Sequence, residues 1–277
     1  MKISNKIAAL ATGITVAISA SAAFAGEALD RVMEDNVLKV ATSASWAPQS
    51  FLNENNEMDG FDVDIAREIA KRLGVEIEFV TPAWDIITAG NWNGRWDLSV
   101  GSMTPTTART EVLAFPAVYY YTPAAIAVHK DSSATQPSDL DGKTVGTCTG
   151  CTFELYLQHD LTIDAEGVPA FNYEVTPGEV KTYQGPQPIF DDLRLGNGTR
   201  LDGLLESLPA ILGAIENGYP LKVIGKPVFY EPLALAIDRG DQEFNDKLAA
   251  IVADMREDGT LTTLSEKWYG IDLTVTE

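Results

Sequence analysis

The sequence predicts an α/β protein whose ligand sits at the carboxyl ends of parallel strands. Short apolar, β-branched runs alternate with segments whose apolar residues recur at helical spacing. Such alternation builds parallel sheets with binding sites at the strand ends. At 277 residues the chain has room for one large α/β domain or for two lobes of roughly 100–150 residues each. Its net charge of −20 argues against nucleic acid and anionic membrane as partners, and leaves the sign of any pocket open.

Residues 1–25 have the pattern of a secretory signal peptide. Lys2 and Lys6 stand in front, an apolar middle covers 7–20, and Ala23-Phe24-Ala25 forms a small-x-small cleavage site. Cleavage after Ala25 is expected. The apolar run is short and holds Thr12, Gly13 and Ser19, which disfavours a membrane anchor. No later stretch approaches about 18 uninterrupted apolar residues, so an exported, soluble protein is expected.

Along the mature chain, residues 37–42 read as a first strand and 43–48 as the loop after it. Trp46 lies in that loop, at a strand's carboxyl end, where an aromatic often meets a ligand. Residues 61–73, closed by Gly74, have helical spacing, and 75–80 form a second strand. Trp84-Asp85 opens a further helix, and 95–100 is a third strand. Beyond Thr122-Pro123, strands are expected over 124–129 and 143–147, and Gly150 precedes a helix start at Cys151 or Thr152. Residues 171–188 bear prolines and support no assignment. A short helix over 189–195 and a buried strand over 201–205, ending at Glu206-Ser207, come next. A helix over 209–216, strands over 221–224 and 232–237, and helices over 242–258 and 262–268 complete the chain.

One stretch carries the chemistry. Residues 98–100 close a strand, Gly101 lets the backbone turn, and Thr104-Pro105 reads as an N-cap with proline at the first helical position. A helix start offers unpaired N–H groups and partial positive charge. Ser102, Thr104 and Thr106 add hydroxyls there, and Arg109, about one turn in, can grip a carboxylate with two parallel hydrogen bonds. These features suit a small anionic group; an ordinary capped helix with a surface arginine reads the same way. Both cysteines, Cys148 and Cys151, lie in one Cys-x-x-Cys. Two ligands cannot close a structural zinc site, and a thioredoxin-like role needs that fold's context. In an oxidising compartment a local disulfide is expected. Neither His129 nor His159 has a sequence partner that points to catalysis.

Arg109, the threonine five residues before it and Phe115 resemble the ligand loop of the family 3 extracellular solute-binding proteins, the periplasmic amino-acid receptors of ATP-binding-cassette (ABC) importers. Gly60-Phe-Asp-Val-Asp-Ile-Ala is similar to the commonest signature of that family, and Glu266-Lys-Trp-Tyr-Gly270 to its C-terminal one. The resemblance covers nearly all of 37–271 and implies a two-lobed periplasmic-binding-protein fold, each lobe a mostly parallel sheet flanked by helices, joined by a two-crossover hinge. It places lobe 1 at 26–121 and 232–277 and lobe 2 at 122–231. By the same resemblance Arg109 holds the ligand's carboxylate with Ser102, Thr104 and Thr106, Thr152 grips it from the second lobe, and Trp46 and Trp84 flank the ligand's side chain. Asp62, Asp64 and the C-terminal signature are read as structural, since acids on a helix's first turn complement its dipole.

The resemblance therefore implies a monomeric periplasmic receptor, not an enzyme, that takes up an amino acid or related carboxylate by hinge closure and delivers it to a membrane permease, with neither cofactor nor metal. Two alternatives stand beside it. One is a secreted enzyme of the cyclohexadienyl dehydratase kind, with Glu206 or Glu154 as proton donor; the other is a soluble ligand sensor. The chain also departs from the pattern. Where many members carry an aspartate for the ligand's ammonium it has Ser207, with Glu206 beside it. Ser43 stands where members that bind basic side chains carry an acid. Unbroken strand alternation turns Glu206 away from the cleft. A ligand other than an ordinary basic amino acid, with an altered or differently held amino end, is then expected.

Overall fold

The computed structural model describes residues 27–165 and 168–275, so the expected signal peptide lies outside the described residues. Helix α1 (Glu27–Asp35) is an addition to the elements expected from sequence; it buries Val32 and packs Ala28 and Leu29 against the core. Strand β1 (Val37–Ala41) leads into three short strands, β2 (Ser45–Trp46), β3 (Ser50–Leu52) and β4 (Met58–Asp59), which form a small sheet of their own. Helix α2 (Phe61–Leu73) buries Phe61, Ile65 and Ile69 on one face and stops at Gly74, whose φ of 77° is the left-handed cap that glycine adopts without penalty. Then come β5 (Glu76–Val80), α3 (Trp84–Thr88), β6 (Leu98–Met103), α4 (Thr107–Thr110), β7 (Leu113–Ala114) and β8 (Val118–His129). The second half of the chain adds β9 (Thr144–Cys148), α5 (Thr152–Leu157), β10 (Glu179–Tyr183), α6 (Gln187–Leu193), β11 (Gly203–Ser207) and α7 (Leu208–Glu216). Strand β12 (Leu221–Asp238) and helices α8 (Gln242–Glu257) and α9 (Thr260–Tyr269) complete the fold.

The strands order as β10-β9-β11-β8-β12-β6-β1-β5. At one end β5, β1 and β6 are parallel, and at the other β10, β9 and β11 are parallel. Between them β8 and β12 run antiparallel to each other and to their outer neighbours. This is the two-lobed periplasmic-binding-protein architecture, with β8 and β12 shared by the two lobes. Each half packs apolar residues on both faces of its strands. Along β8, Ala124, Ile126 and Val128 enter one cluster while Ala125 and Ala127 enter another, the period-two pattern of a strand buried on both sides.

Several boundaries differ from the sequence reading. The two strands expected over 221–224 and 232–237 are one, because the chain bulges between Ile224 and Phe229 and then resumes its pairing with β8. Strand β8 begins at Val118, before Pro123. Pro123 pairs with Tyr230 but lies outside the stretch joined to β11, so its missing N–H costs no bond on that side. The unassigned segment contains β10, held in parallel register on β9 from Glu179↔Thr144 to Tyr183↔Cys148.

A buried polar cluster sets the end of β6. The Asp62 carboxylate accepts the Ser102 hydroxyl at 2.7 Å and the Tyr119 hydroxyl at 2.7 Å, and the Ser102 N–H donates to Tyr119 at 3.0 Å. These bonds hold Ser102 at a φ of 51°, a conformation non-glycine residues adopt only when their surroundings enforce it. Burial raises the Asp62 pKa to about 7, only partly offset by the bonds from Tyr119 and Ser102. Asp64 accepts the Trp268 indole N–H at 2.8 Å, so the two signature segments meet as packing elements.

Gly60 enters α2 at a φ of 126°, and a Cβ there would sit inside van der Waals contact of the Gln49 carbonyl. Gly60→Ala is therefore expected to destabilise the fold by about 2 kcal/mol or more, read as a lowered midpoint in urea denaturation.

Candidate functional site

The strand ends and helix starts of the two halves enclose a cavity of about 420 Å³. Arg109 projects from α4, which starts later than the sequence predicts. Thr106, not Thr104, is its N-cap, with an extended backbone and a hydroxyl that accepts the Arg109 N–H at 3.3 Å. Thr104 stays outside the helix, and its carbonyl accepts Arg109 Nη1 at 2.9 Å. From the other half, the Gly150 carbonyl accepts Arg109 Nη2 at 3.1 Å and the Trp84 indole N–H at 3.3 Å. The guanidinium lies 5.3 Å from the Trp84 ring centroid, a cation–π arrangement. The chain is thus closed across the cleft. Arg109 is only 7% exposed, and among the described residues no carboxylate lies within 4.0 Å of it. Burial pulls its pKa down to about 10 against the supporting charge of Glu231.

The cavity is lined by Arg109, Trp46, Trp84, Ser102, Thr104 and Thr152, and by Glu206 and Glu231. Thr106 and Ser207 are buried but do not line it. The Ser102 hydroxyl is turned onto Asp62, and the Thr106 hydroxyl caps α4, so neither is free for a ligand in this conformation. Ser207 caps α7, and its N–H donates to Glu206 Oε1 at 2.8 Å. The expected orientation at this point is reversed. Glu206, 1% exposed, faces the cavity; Ser207, the last residue of β11, turns the backbone into α7. Glu154 is held by the Gly150 N–H at 2.6 Å and does not line the cavity.

Glu231, which the sequence reading passes over, stands at the floor. It lies on β12 opposite Thr122 of β8, and its Oε1 accepts the Thr104 hydroxyl at 2.9 Å and the Thr152 hydroxyl as well. The signal was a single acid within the apolar run Val228-Phe-Tyr-Glu-Pro-Leu-Ala-Leu-Ala236. Burial raises Glu231 and Glu206 to about 7 each. Bonds from Thr152 and Thr104 and the charge of Arg109 hold Glu231 back from rising further, while the Ser207 N–H does so for Glu206. Cys148 and Cys151 form a disulfide that lines the cavity and brackets the Thr149-Gly150 turn carrying the shared carbonyl. The arrangement offers one cation with unspent N–H groups, two indoles and two acids poised between charge states. It is suited to hold a small ligand bearing both charges.

Residues 38–271 match the model of the bacterial extracellular solute-binding proteins, family 3. The L-cystine-binding protein TcyJ of Escherichia coli is 29% identical over 255 residues, which cover 91% of this chain and 90% of that protein. The putative amino-acid ABC transporter-binding protein PatH of Vibrio harveyi is 32% identical over 242 residues, 86% of this chain and 90% of its own. An ancestral arginine-binding protein solved with arginine superposes with a TM-score of 0.73 at 30% identity, over 85% of this chain and 99% of that one. The matched span takes in both halves of the sheet and every residue of the cavity, and the chain belongs to the bacterial extracellular solute-binding proteins of family 3.

Proposed function

We propose that the chain is the periplasmic receptor of an ABC importer, a monomer that captures an amino acid or close relative and presents it to a membrane permease. Its lobes meet at 121/122 and 231/232, within the two shared strands, and a signal peptide is removed after Ala25. The observation that carries this reading is the buried guanidinium of Arg109, which among the described residues has no carboxylate within 4.0 Å. A buried cation without a hydrogen-bonded carboxylate is only partly compensated by the more distant charge of Glu231, so a ligand carboxylate arriving there stabilises the closed form. Because the contacts on Arg109 come from both halves, ligand and closure reinforce each other. Glu206 supplies an acid for an ammonium group, which removes the reason to expect an altered amino end. Among the described residues no helix is long and apolar enough to cross a membrane.

A second reading rests on Glu206 and Glu231. Acids that titrate near neutrality in a closed cavity are suited to proton transfer, as a dehydratase requires. Turnover of prephenate or arogenate by the purified protein would establish that reading, and its absence would leave the receptor.

A thermal-shift screen of the natural amino acids tests the receptor directly. A true ligand at a hundred times its Kd adds about 2.7 kcal/mol of stability, a rise in Tm of roughly 5–10 °C. Arg109→Ala is expected to lose at least about a hundredfold in affinity while the ligand-free Tm holds or rises. Arg109→Lys should fail likewise, for want of the two-pronged contact. Near-wild-type affinity in either variant contradicts the assignment.

The ligand-free protein should also lose stability as pH rises. Glu206 and Glu231 have folded pKa values near 7, above their ordinary value of 4.5, so the folded chain holds more protons through that window. The resulting stabilisation is complete below about pH 4.5 and is lost as pH climbs through 7, at up to about 1.4 kcal/mol per group per pH unit. Melting scans from pH 5.5 to 8 should show a falling Tm, with the slope reduced in Glu206→Gln.

A further inference from the structure

The cavity holds more acid than a simple zwitterion needs. Among the described residues its ionisable side chains are Arg109, Glu206, Glu231 and Tyr183. The Tyr183 hydroxyl donates to Asp192 at 2.7 Å, so the phenol is already committed. That leaves one guanidinium against two carboxylates, all three buried side chains on which solvent screening is weak. Glu231 comes from the hinge strand β12. It accepts hydroxyls from Thr104 beside β6 and Thr152 of α5, and feels the charge of Arg109 on α4 and of Glu206 on β11. The hydroxyls of Thr104 and Thr152, expected from sequence to serve a ligand's carboxylate, are thereby spent on Glu231. An α-amino acid with a neutral side chain balances Arg109 with its carboxylate and one acid with its ammonium, and leaves the second acid facing the cavity uncompensated.

We infer that Glu231 is a specificity-determining residue: it shifts the cavity's preference by one unit of charge, toward ligands carrying one more positive than negative group. This rests on the amino-acid reading given above and deepens it. Ser43, on the cavity wall, supplies no charge, so the extra acid reaches the cavity from the hinge rather than from the first loop. The mechanism is balance of charge within a shared enclosure, not a pairwise contact, because Glu231 is already anchored by two hydroxyls. Such a preference has a defined pH dependence. A cationic ligand favours the ionised acids, so its advantage over a neutral analogue grows as pH rises through neutrality and shrinks when the acids are protonated.

Calorimetric titration of the full protein with L-arginine and its neutral near-isostere L-citrulline, at pH 6 and pH 8, reads this out. The wild type is expected to prefer arginine at least tenfold at pH 8 and by less at pH 6. Glu231→Gln should narrow the pH 8 gap at least tenfold, in part by gaining affinity for citrulline, a gain that structural damage does not produce. Glu231→Asp, which keeps the charge, should retain the preference. Equal affinity of the wild type for the two probes, citrulline binding alone, or a gap that Glu231→Gln leaves intact would each overturn the inference. So would a screen in which other amino acids bind and arginine does not. If Glu231→Gln fails to fold, the wild-type gap at the two pH values decides, and a gap that does not change with pH overturns it. Absence of binding by every amino acid overturns the receptor reading itself, and is thereby distinguished from failure of the charge preference alone.

Discussion

The structure turns on one buried positive charge. Arg109 spends two of its N–H groups on backbone carbonyls, Thr104 on its own side of the cleft and Gly150 on the other, and meets no carboxylate within ion-pair distance among the described residues. Carbonyl dipoles, the Trp84 face and the charge of Glu231 soften the cost of burying the guanidinium but leave it without a direct carboxylate partner. What surrounds it follows from that deficit. The chain must present the arginine from a stable platform and bring a second wall close enough to share it. The Asp62–Ser102–Tyr119 cluster provides the platform by fixing the end of β6, and the Cys148–Cys151 disulfide brackets the turn that provides the second wall.

Sheet topology builds the two walls as separate halves. Three parallel strands on each side bring their carboxyl ends to the cleft, and just two strands, β8 and β12, are common to both halves. The apolar clusters lie within the halves rather than between them, so the bond between Arg109 and Gly150 spans the cleft without belonging to either core. Glu231 sits on one of these strands and, with the cleft shut, its carboxylate accepts hydroxyls from both Thr104 and Thr152.

Much of this was legible in the sequence where the signal is local. Arg109, Thr104 and Thr152 stand beside helix starts, and a proline, a glycine and a hydroxyl in the right order mark such a start without tertiary knowledge. Trp46 and Trp84 follow strand ends, which the alternation of strands and helices locates. The helix at Arg109 was placed two residues early because Thr104 and Thr106 carry the same capping chemistry, and the contact of Thr104 with Glu231 is decided across the fold. Glu206 was turned the wrong way because every residue of β11 is buried, so burial pattern could not say which face met the cleft. Glu231 carries little local signal for a different reason. It lies outside the two strands expected over 221–224 and 232–237, and only the pairing of β12 with β8 brings it between Thr104 and Thr152.

The most direct measurement is a high-resolution crystal structure of the protein with the ligand that most raises its Tm. The ligand's carboxylate is predicted to lie about 2.7–2.9 Å from the guanidinium nitrogens of Arg109, with its ammonium facing Glu206 and the cleft closed as here. A ligand seated elsewhere, or a carboxylate held without Arg109 while the guanidinium keeps only its two backbone carbonyls, would contradict the claim that this buried charge is what the ligand completes.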